Sequence, residues 1–253
     1  MSQFNGKVVI VTGASAGIGR ETAIGFAAQG AKVALADVNE AGMQEVEQVI
    51  RDAGGEALSV KTDVADADAC QQMVDQTVER FGRLDVIFNN AGIAGQRALL
   101  ADMSLEDWHR VINVNLNGVF YCTKAAVPAM KQSGGGVIIN TASVDGLVGM
   151  ASISHYCAAK HAVNGLTKTT ALEYARDNIR CVSIAPGYIR TAMTEAAFSA
   201  EEKAMFDAMV PLKRAAEPQE VAELVFWLAS EKASYVTGTI HQVDGGLLSG
   251  FGG

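Results

Sequence analysis

Cysteine and histidine are scarce in this sequence, and neither is spaced for a disulfide framework or a metal site. The four cysteines are widely separated and form no C-x-x-C pair, and the four histidines form no H-x-H or H-E-x-x-H motif. Secreted domains stabilised by disulfides carry a higher density of cysteine, so the composition favours a reducing compartment. Zinc sites need closely spaced ligands of these types, so no metal is predicted.

Basic segments and long apolar segments are also missing. The 20 Lys and Arg residues are outnumbered by 28 Asp and Glu residues, which gives a net charge of −8 and a pI near 5.0. This balance does not favour a nucleic-acid partner. No apolar run reaches the ~20 residues that cross a bilayer, and the first residues lack a signal-peptide pattern. We therefore expect a cytoplasmic protein with no membrane partner.

Short apolar segments alternate with helical patterns along the whole chain. Strands are predicted at 7–12, 31–36, 57–61, 84–88, 136–141, 179–185 and 239–243. Helices are predicted at 20–28, 40–53, 67–81, 105–131 (with Pro128 bending or ending the last turn), 152–176 and 218–230, with one or two short helices between 190 and 210. This alternation is typical of a parallel sheet covered on both faces. The sequence predicts a single α/β domain over residues 1–253, a three-layer doubly wound parallel sheet.

The first strand ends in a glycine-rich turn, Gly13-Ala-Ser-Ala-Gly17-Ile-Gly19, and a helical pattern follows at once. Glycines let a backbone approach a ligand closely, and the free N–H groups of a helix N-terminus attract phosphate. The spacing differs from the commoner G-x-G-x-x-G motif, so a purely structural turn is the alternative.

Asp37 ends the second predicted strand, about 20 residues after the glycine turn. A carboxylate in this position accepts hydrogen bonds from an adenosine ribose and repels a 2′-phosphate. Ala16 and Val38 offer no cation for that phosphate. This interpretation favours NAD over NADP, whereas a helix cap or a solvated strand end would give Asp37 no role in binding.

Tyr156 and Lys160 lie four residues apart in a predicted helix and therefore share one face. An ammonium near a phenol lowers the phenol pKa and makes it a better acid–base catalyst at neutral pH. The Tyr-x-x-x-Lys spacing is common on ordinary helices, but Ser143 at the end of the fifth strand can bring a hydroxyl to the same edge of the sheet.

Taken together, Thr12–Gly19, Asn89-Asn90-Ala91-Gly92, Ser143 with Tyr156-x-x-x-Lys160, and Pro186-Gly187 resemble the short-chain dehydrogenase/reductase family, in its compact branch of about 250 residues. The resemblance covers essentially the whole chain and implies a Rossmann fold and a homotetramer. It implies four catalytic residues: Tyr156 as general acid/base, Lys160 as the group that lowers its pKa and binds ribose, Ser143 to orient the substrate oxygen, and Asn115 to hold a relay water.

The same resemblance implies the residues that hold the cofactor. They are Gly13, Ser15, Gly17, Ile18, Gly19, Asp37, Asp63, Val64, Asn90, Ala91, Gly92, Tyr156, Lys160, Pro186, Gly187, Ile189 and Thr191. Asn89 is expected to stabilise the sheet instead.

We expect an NAD-dependent oxidoreductase that interconverts a secondary alcohol and a ketone. Alternatives are an NADP-preferring 3-oxoacyl-type reductase, a sugar-nucleotide epimerase or dehydratase, and a non-catalytic cofactor-binding scaffold. A substrate lid is predicted near 188–212. Nine residues are candidates for the pocket wall and lid, and plain core packing is the alternative for each. They are Gln96, Val144, Leu147, Met150, Met193, Phe198, Met205, Phe206 and Met209.

Overall fold

Seven parallel strands form the centre of the computed structural model, which describes residues 3–250. In chain order they are β1 Val8–Thr12, β2 Lys32–Asp37, β3 Glu56–Lys61, β4 Val86–Asn89, β5 Gly136–Thr141, β6 Ile179–Pro186 and β7 Ile240–Val243. Their order in the sheet is β3-β2-β1-β4-β5-β6-β7. The predicted α/β sheet is confirmed; the ends of the predicted 1–253 domain lie outside the described residues.

Nine α-helices occur among the described residues. They are α1 Gly17–Ala28, α2 Glu40–Asp52, α3 Ala67–Phe81, α4 Leu105–Ile112, α5 Gly118–Gln132, α6 Ser154–Tyr174, α7 Ala192–Ala197, α8 Ala200–Met209 and α9 Pro218–Ala229. The two short helices expected between 190 and 210 are α7 and α8. Helix α5 passes through Pro128 and ends at Gln132, so the proline does not stop it.

The strand order places one crevice at the middle of the sheet. The chain builds outward from β1 to β3, then returns to β4 on the other side of β1. The connection after β1 leads to one side of the sheet, and the connection after β4 leads to the other side. Ligands bind at such a switch point, outside the carboxyl ends of the strands. The loops after β1, β2, β4, β5 and β6 all reach this edge.

Two apolar layers cover the sheet. One contains Phe26 and Val225 from α1 and α9, and the other contains Met73 and Met130 from α3 and α5. Strand residues are buried on both faces, as in β1, where all five residues are buried. This explains why the strands read as continuous apolar runs and not as alternating ones.

The predicted helix 105–131 is divided in the structure. A π-helical turn, Asn113–Asn117, joins α4 to α5. Such wider turns often occur at functional sites, and hydrophobic periodicity does not reveal them. The predicted helix 152–176 begins two residues late because Ser152 has a left-handed φ of 68°, and its last turn is a 3₁₀ turn, Ala175–Asp177.

Phe26 is fully buried and packs edge-on against Phe4 and Phe226, with ring centroids 4.9 Å away in each case. Phe26→Ala should lower the free energy of unfolding by about 3–5 kcal/mol, because it removes a buried ring and leaves a cavity. Urea unfolding measures the change. Leu100→Ala is the control, since Leu100 is exposed. A loss under about 1 kcal/mol for Phe26→Ala would contradict the packing described.

Candidate active site

A cleft of about 290 Å³ lies outside the carboxyl ends of the strands. Fifteen of the predicted site residues line it: Gly13, Ser15, Gly17, Ile18, Asp37, Asn90, Ala91, Gly92, Ser143, Tyr156, Lys160, Pro186, Gly187, Ile189 and Thr191. Four others, Gly19, Asp63, Val64 and Asn115, do not. The cleft also contains Met193, a predicted wall residue, and five residues that were not among the predicted site residues: Ala16, Thr141, Ala142, Ala192 and Thr194.

The glycine turn forms one end of the cleft. Gly13 and Gly17 have positive φ values of 66° and 53°, a conformation that other residues adopt at a cost. A Cβ on Gly13 would lie 3.0 Å from both Ala91 and Asn90. Helix α1 starts here, and its N-cap residue, Ala16, makes no side-chain hydrogen bond. The N-terminus is therefore left free to receive an anion.

Gly19, in the first turn of α1, packs directly against the backbone of Gly13. A Cβ at Gly19 would lie 2.0 Å from the carbonyl oxygen of Gly13, so any larger side chain would push α1 away from β1. Its predicted place in the cofactor site stays a prediction. The glycine is needed for close helix–strand packing and does not line the cleft.

The Asp37 carboxylate is held at the same end. Its two oxygens accept hydrogen bonds from the backbone N–H groups of Ser15 and Asn39, each at 3.0 Å. The first of these bonds ties the tip of β2 to the glycine turn. The carboxylate is thus aimed at the cleft by the backbone alone, without a cationic partner among the described ion pairs.

The loop after β4 is anchored on β1. Thr12 Oγ1 accepts from the backbone N–H groups of Asn90 and Ala91, and Asn90 Nδ2 donates to the Thr12 carbonyl at 3.0 Å. Asn89, one residue earlier, is buried and donates to Asn140 across β4 and β5. The expected sheet-stabilising role of Asn89 is confirmed.

Asn115 lies in the π-helical turn and is completely buried. Its side chain makes a pair of 2.8 Å hydrogen bonds to the backbone of Ile93, one to the N–H and one to the carbonyl. These bonds fix the segment that follows Gly92. Each end of the amide makes one of these bonds and keeps further capacity, and its predicted role with a relay water stays a prediction.

Tyr156 and Lys160 share a face of α6, as their spacing predicts. Lys160 Nζ lies 5.5 Å from the centroid of the Tyr156 ring and donates to the Thr141 carbonyl at 2.7 Å. Burial lowers the pKa of Lys160 to about 8. The end of β5 therefore holds the lysine, and the lysine lies beside the phenol.

The pKa of Tyr156 is a correction to the sequence interpretation. Burial raises it to about 12, and the negative charge of Asp145 acts in the same direction, while a hydrogen bond with Ser143 opposes them. Lys160 is not among the groups that shift this pKa, and desolvation, the largest cause, disfavours the phenolate. At neutral pH Tyr156 is the protonated phenol, which is a proton donor.

Asp63 and Val64 follow β3, at the far side of Asp37. Asp63 is exposed and accepts from the Ala65 N–H, while Val64 is buried against Gly118. Their predicted contact with adenine stays a prediction, since neither lines the cleft.

Only part of the predicted pocket wall faces the site. Met193 lines the cleft. Phe198, Phe206 and Met150 pack with Tyr188 in a separate apolar cluster. Val144 is core, and Leu147 is half-buried. Met205 and Met209 are more than half exposed, so their side chains face solvent.

A buried polar network of His155 and Asp107 is hydrogen-bonded to the backbone of Tyr156. The sequence did not suggest it. His155 is fully buried. Its Nε2 lies 3.0 Å from Asp107, and its Nδ1 accepts from the Tyr156 N–H at 2.7 Å. Asp107 also accepts from the Gln96 N–H. Burial opposes ionisation of Asp107, but hydrogen bonds from Gln96, Arg110 and His155 outweigh it and lower its pKa. The network thereby fastens the segment after β4 to the first turn of α6.

Asp107→Ala should lower the free energy of unfolding by about 3–5 kcal/mol, because it leaves a buried imidazole and a buried N–H without their partner. Chemical denaturation measures the loss. Asp75→Ala, which removes an exposed carboxylate bonded only to Gln71, is the matched control and should cost under about 0.5 kcal/mol. Equal losses in the two variants would show that the network adds nothing to stability.

The cleft suits a nicotinamide dinucleotide. The uncapped N-terminus of α1 and the glycines that leave space above it suit a pyrophosphate, and Asp37 suits a ribose. At the other end, the buried Thr141 Oγ1 has no hydrogen-bond partner among the described residues, and Lys160 keeps further donor capacity.

Residues 3–250 contain neither a membrane-spanning helix nor a metal-binding cluster. No helix there is long and apolar enough to cross a membrane. No group of three His, Cys, Asp or Glu side chains is placed to hold a metal ion.

A doubly wound sheet with a glycine-lined cleft at its switch point, and a Ser–Tyr–Lys group in that cleft, defines a nicotinamide-dependent oxidoreductase. The chain belongs to the short-chain dehydrogenase/reductase family. Residues 13–248 match the family model described as enoyl-(acyl carrier protein) reductase. The resemblance seen in the sequence is confirmed, and the protein is an oxidoreductase that interconverts alcohols and ketones.

Several relatives are similar over nearly their whole length. Cyclohexanol dehydrogenase of Acinetobacter sp. (strain SE19) is 45% identical, covering 98% of this chain and 97% of its own. The 3-oxoacyl-[acyl-carrier-protein] reductase FabG of Thermotoga maritima is 42% identical, covering 97% and 99%. The crystal structure of levodione reductase superimposes with a TM-score of 0.96 at 38% identity, covering 98% of this chain and 100% of that one.

Proposed function

We propose that the protein is an NAD-dependent dehydrogenase of neutral alicyclic secondary alcohols, with Tyr156 as the general acid/base. The observation that carries this proposal is one cleft with Asp37 at one end and Ser143, Tyr156 and Lys160 at the other. A dinucleotide bound along this cleft would have its ribose at Asp37 and its nicotinamide near the tyrosine.

The choice of NAD rests on charge. A 2′-phosphate placed about 4 Å from the Asp37 carboxylate would be repelled by about 4 kcal/mol per pair of unit charges at an effective dielectric of 20. That corresponds to a preference on the order of a thousandfold. The carboxylate has its two backbone donors and forms no ion pair within residues 3–250.

The proposed chemistry divides between cofactor and protein. The nicotinamide, when bound, supplies or accepts the hydride. Tyr156 gives its phenolic proton to the carbonyl oxygen in reduction and takes a proton from the alcohol in oxidation. Ser143 holds the same oxygen by a hydrogen bond, and the Lys160 cation stabilises the phenolate that forms. Ser143, Tyr156 and Lys160 all line the cleft in which these proposed steps take place.

The substrate class follows from the walls and the relatives. Apolar side chains border the cleft at Ile189 and Met193, and the aromatic cluster of Tyr188, Phe198 and Phe206 stands next to it. Apolar walls with a few fixed polar groups suit a compact apolar ring. Cyclohexanol dehydrogenase and levodione reductase, by their names, act on compounds of this kind.

The second candidate is an NADP-preferring 3-oxoacyl reductase. The similarity to FabG favours it, and Asp37 argues against it. A scaffold without activity is disfavoured because Ser143, Tyr156 and Lys160 are all present at the cleft. An epimerase or dehydratase is disfavoured because the glycine turn has the spacing Gly13, Gly17, Gly19 and not the G-x-x-G-x-x-G of that group. Initial rates with cyclohexanol and NAD⁺, compared with NADP⁺ and with 3-oxoacyl thioesters, distinguish the two leading candidates.

A homotetramer and a cytoplasmic location remain part of the proposal. Phe120 on α5 and Leu172 on α6 are exposed apolar residues, as expected of helices that meet a second subunit. Light scattering at micromolar concentration measures the assembly.

Tyr156→Phe should lower kcat at least about a hundredfold, because it removes the proton that moves in the transition state. NADH titration by fluorescence is the control, since the variant keeps the ring and should bind the cofactor as the wild type does. A kcat near that of the wild type would exclude Tyr156 as the acid/base.

Asp37→Asn should raise the affinity for NADPH relative to NADH at least about tenfold, because the repelling charge is lost. Fluorescence titration with both nucleotides measures the ratio. Asp52→Asn, at the exposed end of α2, changes net charge equally and should leave the ratio unaltered. Equal affinity of the wild type for the two nucleotides would refute the charge argument.

A further inference from the structure

Asp145 is a carboxylate that does not itself line the cleft but is hydrogen-bonded to Ser143, which does. It lies two residues after Ser143, in the 3₁₀ turn Val144–Gly146. Its backbone N–H donates to Ser143 Oγ at 3.1 Å, and its Oδ2 accepts from the same hydroxyl at 3.4 Å. No ion pair to it is formed within residues 3–250, and the side chain is half-buried.

The Ser143 hydroxyl joins Asp145 to the substrate position. A hydroxyl has one proton, so Ser143 gives it either to Asp145 or to a substrate oxygen. A substrate oxygen that accepts it lies within about 6 Å of the Asp145 carboxylate, given hydrogen bonds of ordinary length. A charged group on the substrate carbon next to the reacting one would then lie only a few ångströms farther from the Asp145 carboxylate.

We propose that Asp145 is a specificity-determining residue that disfavours substrates with a carboxylate on the carbon next to the reacting one. This inference rests on the proposed function and deepens it, because it concerns which alicyclic alcohols the site accepts. Two negative charges about 7 Å apart at an effective dielectric of 20 repel enough to lower affinity tenfold or more.

Within residues 3–250 no side chain forms an ion pair with Asp145 that would neutralise its charge. Helix α6 presents Tyr156, Cys157 and His161 toward Asp145. Burial raises the pKa of Asp145, while the hydrogen bond from Ser143 and the charge of His161 lower it. The same carboxylate raises the pKa of Tyr156, which places its field at the phenol. An assay at pH 8 is far above the ordinary carboxyl range, near 3.9, and keeps the group ionised.

The test compares two ligands of one shape, 2-hydroxycyclohexanecarboxamide and 2-hydroxycyclohexanecarboxylate. Their binding to the protein saturated with NADH is measured by calorimetry at pH 8. We expect the amide to bind at least about tenfold more tightly than the carboxylate in the wild type. In Asp145→Asn this ratio should fall to within about threefold, while in Asp145→Glu, which keeps the charge, it should remain.

Two controls separate charge at this position from other effects. Glu173→Gln removes one exposed carboxylate at the far end of α6 and should leave the ratio unchanged. The NADH affinity of each Asp145 variant reports whether the cleft is intact, and Asp145→Ser replaces Asp145→Asn if the latter does not fold.

The outcomes distinguish this inference from the proposed function. A wild-type ratio below about twofold, a ratio unaltered in Asp145→Asn, or no binding of either compound at millimolar concentration would overturn the role of Asp145. Absence of cyclohexanol oxidation with NAD⁺, alongside a ratio that depends on Asp145, would overturn the proposed reaction and leave the charge discrimination standing.

Discussion

The hydrogen bond from Lys160 to the Thr141 carbonyl is the contact on which the arrangement of the site depends. It joins the carboxyl end of β5 to α6 at 2.7 Å, in a place almost without solvent. An ammonium in such a place keeps its proton only with acceptors nearby, and burial already lowers its pKa to about 8. Because Tyr156 is one turn earlier, fixing the lysine also fixes the phenol beside Ser143.

The electrostatics of the cleft differ between its two ends. At one end, two backbone N–H groups hold the Asp37 carboxylate toward the cleft. At the other, Tyr156 is kept as the neutral phenol by burial and by the charge of Asp145. A neutral phenol is the form that reduction needs. Oxidation needs a proton acceptor, so positive charge close to the phenol, from Lys160 or an oxidised nicotinamide ring, favours that direction.

Buried polar groups connect the loops that meet at the cleft. Asn115 holds the backbone of Ile93, Asp107 holds that of Gln96, and His155 joins Asp107 to the first turn of α6. Since buried polar groups are costly without partners, the loop after β4 and the catalytic helix are restrained together. The site is therefore positioned by the interior of the protein as well as by the sheet.

The sequence alone determined the three-layer fold, the glycine turn, Asp37 and the Tyr156–Lys160 pair, because these depend on local periodicity and on spacing within single elements. Ser143 was added to the pair through its position at the end of a predicted strand and through the resemblance to the family. The tertiary structure decided the rest. The π-helical turn at Asn115, the packing role of Gly19, the exposure of Met205 and Met209, the raised pKa of Tyr156 and the places of Asp145 and His155 depend on which distant segments meet. Burial and through-space charge set these properties, and neither follows from residue order.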